Sequence, residues 1–404
     1  MSQVLSGIRV VEVSEFGMVP GCGAVLADWG ADVIKVERTQ GGDPVRHITA
    51  MGLGPGVGGF DGIWEIFNRN KRSIGLDLQT GDGLAALLEI VKGADVFITN
   101  FLPRTREKLR IDVEHLRAVN PRLIYGRGSA HGPKGPEAGL GGFDGLTYWM
   151  RSGAGHAATP AKSTEFVTLP GPAFGDIQTG QALAGGIAAA LFHRERTGEA
   201  KVVDISLLSS GMWAMQGTLF GWNVTGAELP HSDHSNMPNP ISNNYLTKDG
   251  RRIALSMHQG DRYWPRLCEI WGRPDMATDP RFKDIPSRVA NNAACIKELD
   301  GIFIQRTLAE WSEALSQQDG QWTIVKVVKE AMDDPQIWAN AYLQEVDYGD
   351  GRKTTLVPAP VQFDEAPNRL RAAPSLGAQS DDILRDAGIS VERIGELRKS
   401  GTVV

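Results

Sequence analysis

The residues best placed to do chemistry lie in one stretch, Phe174-Gly175-Asp176-Ile177-Gln178-Thr179-Gly180. It runs on into Gln181-Ala-Leu-Ala-Gly-Gly-Ile-Ala-Ala-Ala-Leu-Phe-His193. A carboxylate stands between a glycine and a small-residue helix that is apolar on nearly every side, and such a helix is expected to be buried. Asp176 then opens the helix at an interior N-terminus. Unpaired N–H groups and the positive dipole end there keep a carboxylate ionised against the cost of burial. Two roles fit this pattern. Asp176 is an N-cap and nothing more, or it is a nucleophile, which Gly175 and the slim Thr179-Gly180 turn leave open to another molecule.

The other reactive side chains are dispersed. Cys22, Cys268 and Cys295 show no metal-ligand spacing and suit a reducing compartment without disulfides. His131 and His156 are isolated in sequence, and a lone histidine is more often structural than catalytic. Gly17, Gly21 and Gly23 follow an apolar run with the spacing G-x3-G-x-G rather than G-x-G-x-x-G. That spacing argues against a nicotinamide or flavin site with Glu37 as its ribose-binding acid. Net charge is -6 and the pI about 5.8, with no Lys/Arg cluster, which disfavours nucleic acid and anionic membranes as partners. The start of the chain has no basic or apolar leader pattern, and its longest apolar run, Ala182–Phe192, is too short to span a bilayer. A soluble cytoplasmic protein is expected.

The elements that must position Asp176 read as a βαβ alternation. Strands are expected at Ile8–Val13, Val33–Val36, after Asn68, at Val96–Thr99, Leu123–Gly126 and Val202–Leu207, with helices between them, one of them at Leu84–Lys92. The glycine-dense run Met51–Gly62 and the Gly/Pro-rich Gly128–Gly142 read as loops at the mouth of a site. Farther on, Tyr245–Ser256 reads as a hairpin over Asp249-Gly250, followed by helices at Arg262–Trp271, Val289–Gln305 and Leu308–Gln317. Strands around Glu345–Tyr348 and Thr354–Pro358 and helices at Asp381–Ala387 and Val391–Lys399 close the chain.

The segments Gly175-Asp-Ile-Gln-Thr-Gly180, Arg194-Glu-Arg-Thr-Gly198 and Val202-Val-Asp-Ile-Ser-Leu207 resemble the signature of the class III coenzyme A transferases, relatives of the 2-methylacyl-CoA racemases. The likeness extends along essentially the whole chain. It implies an α/β fold, with a Rossmann-like parallel-sheet large domain and a smaller α+β domain. The large domain would comprise residues 1–220 and the returning segment 326–404, and the small domain residues 221–325. It also implies an interlocked homodimer that moves CoA between an acyl-CoA and a free carboxylic acid, with CoA as substrate and no metal. Asp176 would be the nucleophile. Phe16, Gly17 and Met18 would lie beside the thioester, and Arg38 would bind the nucleotide. Leu76, Asp77, Leu78 and Gln79 would line the adenosine. Asn100, Phe101 and Leu102 would flank the pyrophosphate and pantetheine arm, with Lys108 on a phosphate. Lys71-Arg72 would be a further phosphate-facing pair.

Departures from the family pattern bear on the reaction. Formyl-CoA enzymes carry Gln where this chain has Gly17, and their glycine-rich flap is replaced here by Asn236-Met-Pro-Asn-Pro-Ile-Ser-Asn-Asn-Tyr245. The racemases carry a His-Asp pair where this chain has Phe143-Asp144, so one of two acid–base partners is missing. Racemisation is therefore the alternative rather than the leading expectation. Phe143-Asp-Gly-Leu-Thr-Tyr-Trp-Met150, with Phe16 and Met18, would give an aromatic acyl pocket.

Overall fold

The computed structural model describes residues 3–48, 56–57, 60–228 and 233–404. The chain divides into two compact units. The larger holds residues 1–156, 167–226 and 335–404, and the smaller holds 157–166 and 227–334.

Six parallel strands form the centre of the larger unit. They are β1 (Arg9–Glu12), β2 (Asp32–Glu37), β3 (Arg72–Gly75), β4 (Val96–Thr99), β5 (Ile124–Ser129) and β6 (Val202–Ser206). Their order is β3-β2-β1-β4-β5-β6. The order reverses between β1 and β4. A doubly wound sheet opens a crevice at such a point, outside the carboxyl ends of the strands.

The strands are apolar on both faces because both are covered. On one face Val10, Val33, Ile98 and Ile124 pack with Met18, Cys22 and Leu26 of α1 (Met18–Asp28). Leu183, Ile187 and Leu191 of a long helix starting at Phe174 complete that layer. On the other face Val11, Ile34, Phe97 and Tyr125 pack against Leu87 and Ile90 of α2 (Gly81–Lys92) and against Ile383, Leu384, Ile394 and Leu397 near the end of the chain.

The C-terminal segment also covers the open edge of β3. Gln379 exchanges hydrogen bonds with Ser73, the Val404 N–H donates to Gly75, and Leu76 bridges Val403. Upstream, the Asn70 amide side chain meets the backbone of Arg369 and Arg371, and the Ala359 N–H donates to Asp28.

The smaller unit carries an antiparallel sheet of β7 (Asn244–Leu246), β8 (Arg252–Leu255) and β9 (Trp322–Ile324), in the order β9-β8-β7. The expected hairpin is thus present, with a third strand that periodicity did not reveal. Trp264, Phe303, Trp311 and Tyr245 centre its core. The single helix expected over Val289–Gln305 is two, Ile285–Ala290 and Asn292–Phe303, because the chain breaks at Asn291. Most of Met51–Gly62 lies outside the described residues. Gly56–Val57 and Phe60–Asp61 pair as a short antiparallel ribbon.

Candidate active site

The loop after β1 is fixed from below by buried charge. The Lys35 ammonium, fully enclosed, donates to Glu12 at 3.0 Å, to Asp43 at 2.8 Å and to the carbonyl of Ser14 at 2.8 Å. Asp43 in turn accepts from the N–H of Phe16 at 3.2 Å. Phe16 is thereby held at φ 65°, a left-handed conformation costly for a bulky residue unless its surroundings impose it. Lys71 closes the cluster, donating to Glu12 at 2.7 Å and to Pro20 and Asn68. Burial disfavours the Glu12 charge, but Lys71 and Lys35 outweigh it and hold the carboxyl below its usual range. Burial lowers Lys71 to about 8 despite Glu12. From the side, the Asn100 amide bonds both the N–H and the carbonyl of Glu15.

This loop delivers Gly17 to Asp176. A Cβ on Gly17 would lie 2.5 Å from Asp176 Oδ2, so a side chain there would have to displace the carboxylate. Asp176 is the third residue of α4 (Phe174–Thr197), whose N-cap is Ala173 at φ 57°. The expected capping role is therefore absent. The N–H of Gly175 donates instead to Asp144 Oδ2 at 3.0 Å, and Asp144 Oδ1 accepts from Gly145 at 2.8 Å. Among the described residues no hydrogen bond reaches the Asp176 carboxylate. Burial, reinforced by the neighbouring Asp144, pushes its carboxyl up to about 7. The expectation of a dipole-stabilised, fully ionised group is corrected: desolvation wins, and Asp144 takes the free helix amide.

Two glycines have roles other than those expected. Space at Gly175 is filled by the Tyr148 ring and Asp144, and space at Gly180 by the backbone of Met18 and Cys22, so both permit close packing rather than access. Gly17 is the glycine that leaves room beside the carboxylate. The long helix is also not enclosed all round. Leu183, Ala184, Ile187 and Leu191 are buried, whereas Ile177 and Phe192 are 44% and 67% exposed. Its far end is pinned by Arg194, which reaches Asp95 and the carbonyl of Arg122.

A cavity of about 1230 Å³ opens at the carboxyl ends of the strands, at the reversal point, and Asp176 is on its wall. Phe16, Gly17, Met18, Arg38, Leu76, Asp77, Leu78, Gln79, Asn100, Phe101, Leu102, Lys108 and Phe143 all line it. Phe16 and Phe143 meet edge to face at 5.5 Å. Arg38 is largely exposed, bonded to the Gly42 carbonyl and 3.3 Å from Glu15. Asn100 is spent on the Glu15 backbone, so its first role here is to hold the loop. Sequence reasoning missed Glu15, Arg106, Arg127 and Leu207, which also line the cavity, as does Gly128 of the expected mouth loop. For Glu15 and Leu207 the available signal was a position just beyond a strand end.

Lys71-Arg72 does not face the cavity. Lys71 is buried on Glu12, and Arg72 pairs with Asp32 and Asp386. Each is taken up by carboxylates. Glu37 is likewise spent, on Arg46, Ser73 and the Asp43 N–H. His131 sits beside Arg151 and Glu137, and neither it nor His156 lines the main cavity.

The profile of CoA-transferase family III matches residues 5–380. The chain is 31% identical to the (R)-2-hydroxy-4-methylpentanoate CoA-transferase of Clostridioides difficile, over 99% of each chain. It is 30% identical to the succinyl-CoA:mesaconate CoA-transferase of Haloarcula hispanica, over 95% of this chain and 96% of that one. Among solved structures, a CaiB/BaiF family protein from Brucella suis superposes with a TM-score of 0.82 at 27% identity, covering 96% and 100% of the two chains. With the family profile matched over residues 5–380 and a relative 31% identical over nearly the full length, the chain belongs to CoA-transferase family III.

Proposed function

We propose that the protein transfers CoA from an acyl-CoA to a free carboxylic acid through covalent intermediates on Asp176. A carboxylate oxygen of Asp176 attacks the thioester carbonyl. The carbon–sulfur bond breaks, leaving an aspartyl-acyl anhydride and CoA thiolate. The thiolate then attacks the aspartyl carbonyl and expels the acyl group as its carboxylate, which gives an enzyme–CoA thioester. The acceptor carboxylate reverses the two steps. Splitting one exchange in this way lowers each barrier. Binding of the CoA nucleotide keeps the thiolate in place between steps.

One observation carries the reading. Asp176 is a carboxylate without a hydrogen-bond partner among the described residues, on the wall of a cavity of about 1230 Å³. Poor solvation makes such an oxygen more nucleophilic once it is deprotonated. In this reading Arg38 and Lys108 meet phosphates, and Leu76, Asp77, Leu78 and Gln79 line the adenosine. Asn100, Phe101 and Leu102 follow the pantetheine arm, and Phe16, Gly17, Met18 and Phe143 surround the thioester. A homodimer in the cytoplasm fits the same reading. The apolar side chains of Phe192, Trp213 and Phe220 are each more than 65% exposed in the single chain, and all three cysteines are free. The names of the relatives span an acid with an apolar side chain and a dicarboxylic pair, so identity alone leaves the acid open.

The test is intact-mass measurement after mixing with acyl-CoA. A CoA-sized adduct mapped to Asp176 is expected, and its absence under turnover would overturn the mechanism. Deuterium entering the α-position of a chiral acyl-CoA without any acceptor acid would instead favour racemisation.

A further inference from the structure

The cavity has two walls of opposite character, and the pleat of β5 separates them. A Cβ at Gly126 would meet Ile187, and one at Gly128 would meet Met18, so these residues face α1 and α4. Residues between them point the other way. Tyr125 packs among Phe97 and Leu116, and Arg127, two residues on, leaves the sheet on that same face and pairs with Asp204. Helix α3 (Pro103–Leu109), which carries Arg106 and Lys108, leads into Ile111, whose carbonyl accepts from the Tyr125 hydroxyl. These cations therefore belong to the sheet face away from Asp176. On the Asp176 side the wall is made by Phe16, Met18, Phe143, Leu146 and Leu207, and the charge beside the nucleophile is another carboxylate, Asp144.

An acyl group with a second carboxylate would have to place that charge against this wall, where the remaining lining cation among the described residues, Arg38, is held by Glu15 and the Gly42 carbonyl, and in the field of Asp144. Burying an unpaired charge is costly, and a like charge nearby adds to the cost. An aliphatic or aromatic body meets the same wall favourably. We infer that the acyl group carried at Asp176 has an apolar body, branched aliphatic or aromatic, and bears no charge beyond the carboxyl that reacts. This rests on the transferase reading and narrows it to a substrate class.

The experiment compares 3-phenylpropionyl-CoA with succinyl-CoA as donors to 4-methylpentanoate, using the full-length chain. The expected kcat/KM favours the phenylpropionyl donor by about 100-fold. Leu146→Arg, an exposed position that tolerates a long side chain, places a cation on the apolar wall and shrinks that ratio by about fivefold. Succinyl-CoA used as well as the aromatic donor, or a ratio unmoved in L146R, overturns the inference and leaves the transferase reading standing. No exchange with either thioester overturns both.

Discussion

Glu12 and Asp176 are carboxylates of the same sheet-and-helix layer, Glu12 fully enclosed at the end of β1 and Asp176 half-buried in the first turn of α4. Glu12 has two lysines and the Ser14 hydroxyl on its oxygens, and its carboxyl lies below the usual range. Asp176 has Gly17 and Asp144 as neighbours, and its carboxyl lies near 7. Burial penalises both charges, and the partners decide the outcome. The paired group fixes a loop and has no capacity left for chemistry. The unpaired group is costly to keep, and that cost is what supports its proposed role as the nucleophile.

Four variants sharpen or break this contrast. The largest effect belongs to Asp176→Ala, which should lower exchange by at least about 10³-fold. CoA affinity by titration calorimetry should stay near that of the parent; a variant with parental turnover would end the nucleophile assignment. Lys35→Met leaves the enclosed Asp43 without its ammonium and Glu12 with one lysine of two, and should cost about 3–5 kcal/mol in urea unfolding. A loss under 1 kcal/mol would mean the paired cluster does not hold the fold.

Asp176→Asn should act in the opposite direction. The native carboxyl titrates near 7 and the unfolded one near 4, so the native state binds the proton more tightly. Its destabilising effect is absent below about pH 4, grows as pH rises to 7, and is constant above. Removing the charge should therefore raise stability by roughly 2 kcal/mol at pH 8 and by almost nothing at pH 4. Equal gains at both pH values would contradict the unpaired state. The smallest effect is that of Asp144→Asn. The parent rate should rise with pH through about 7, as Asp176 ionises. Loss of the Asp144 charge should move that rise to lower pH, visible as roughly a two- to threefold gain at pH 6 relative to the plateau. An unmoved profile would assign the shift to burial alone.

Much of this was legible in sequence. The apolar runs at Val10-Val11 and Val96-Phe97-Ile98 could be read as buried parallel strands because they lack a polar alternate, and Val33–Val36 breaks that pattern only at Lys35. Every residue carried over from the family onto a strand end falls on the cavity. What escaped were partnerships between distant segments. Lys71 lies 59 residues from Glu12, and Gly175 lies 31 from Asp144. No local pattern states which charge will meet which, so Lys71 read as a phosphate ligand and Asp176 as a self-stabilised cap. The outward face of α4 was misjudged for a related reason. Alanine and glycine look buried by hydropathy whether or not anything covers them.

The seam along β3 has a bearing on how the molecule is made. Asn70 receives the Arg371 N–H across 301 residues of chain, and Asp28 receives that of Ala359 across 331. A ribosome adding about 5–20 residues per second leaves roughly tens of seconds between the two sides of that seam. Through that interval β3 is an open edge, the kind of surface on which other nascent strands add. The wall of the cleft that includes Leu76 and Asp77 is then among the last parts to be assembled, and bystanders such as chaperones have their longest opportunity there.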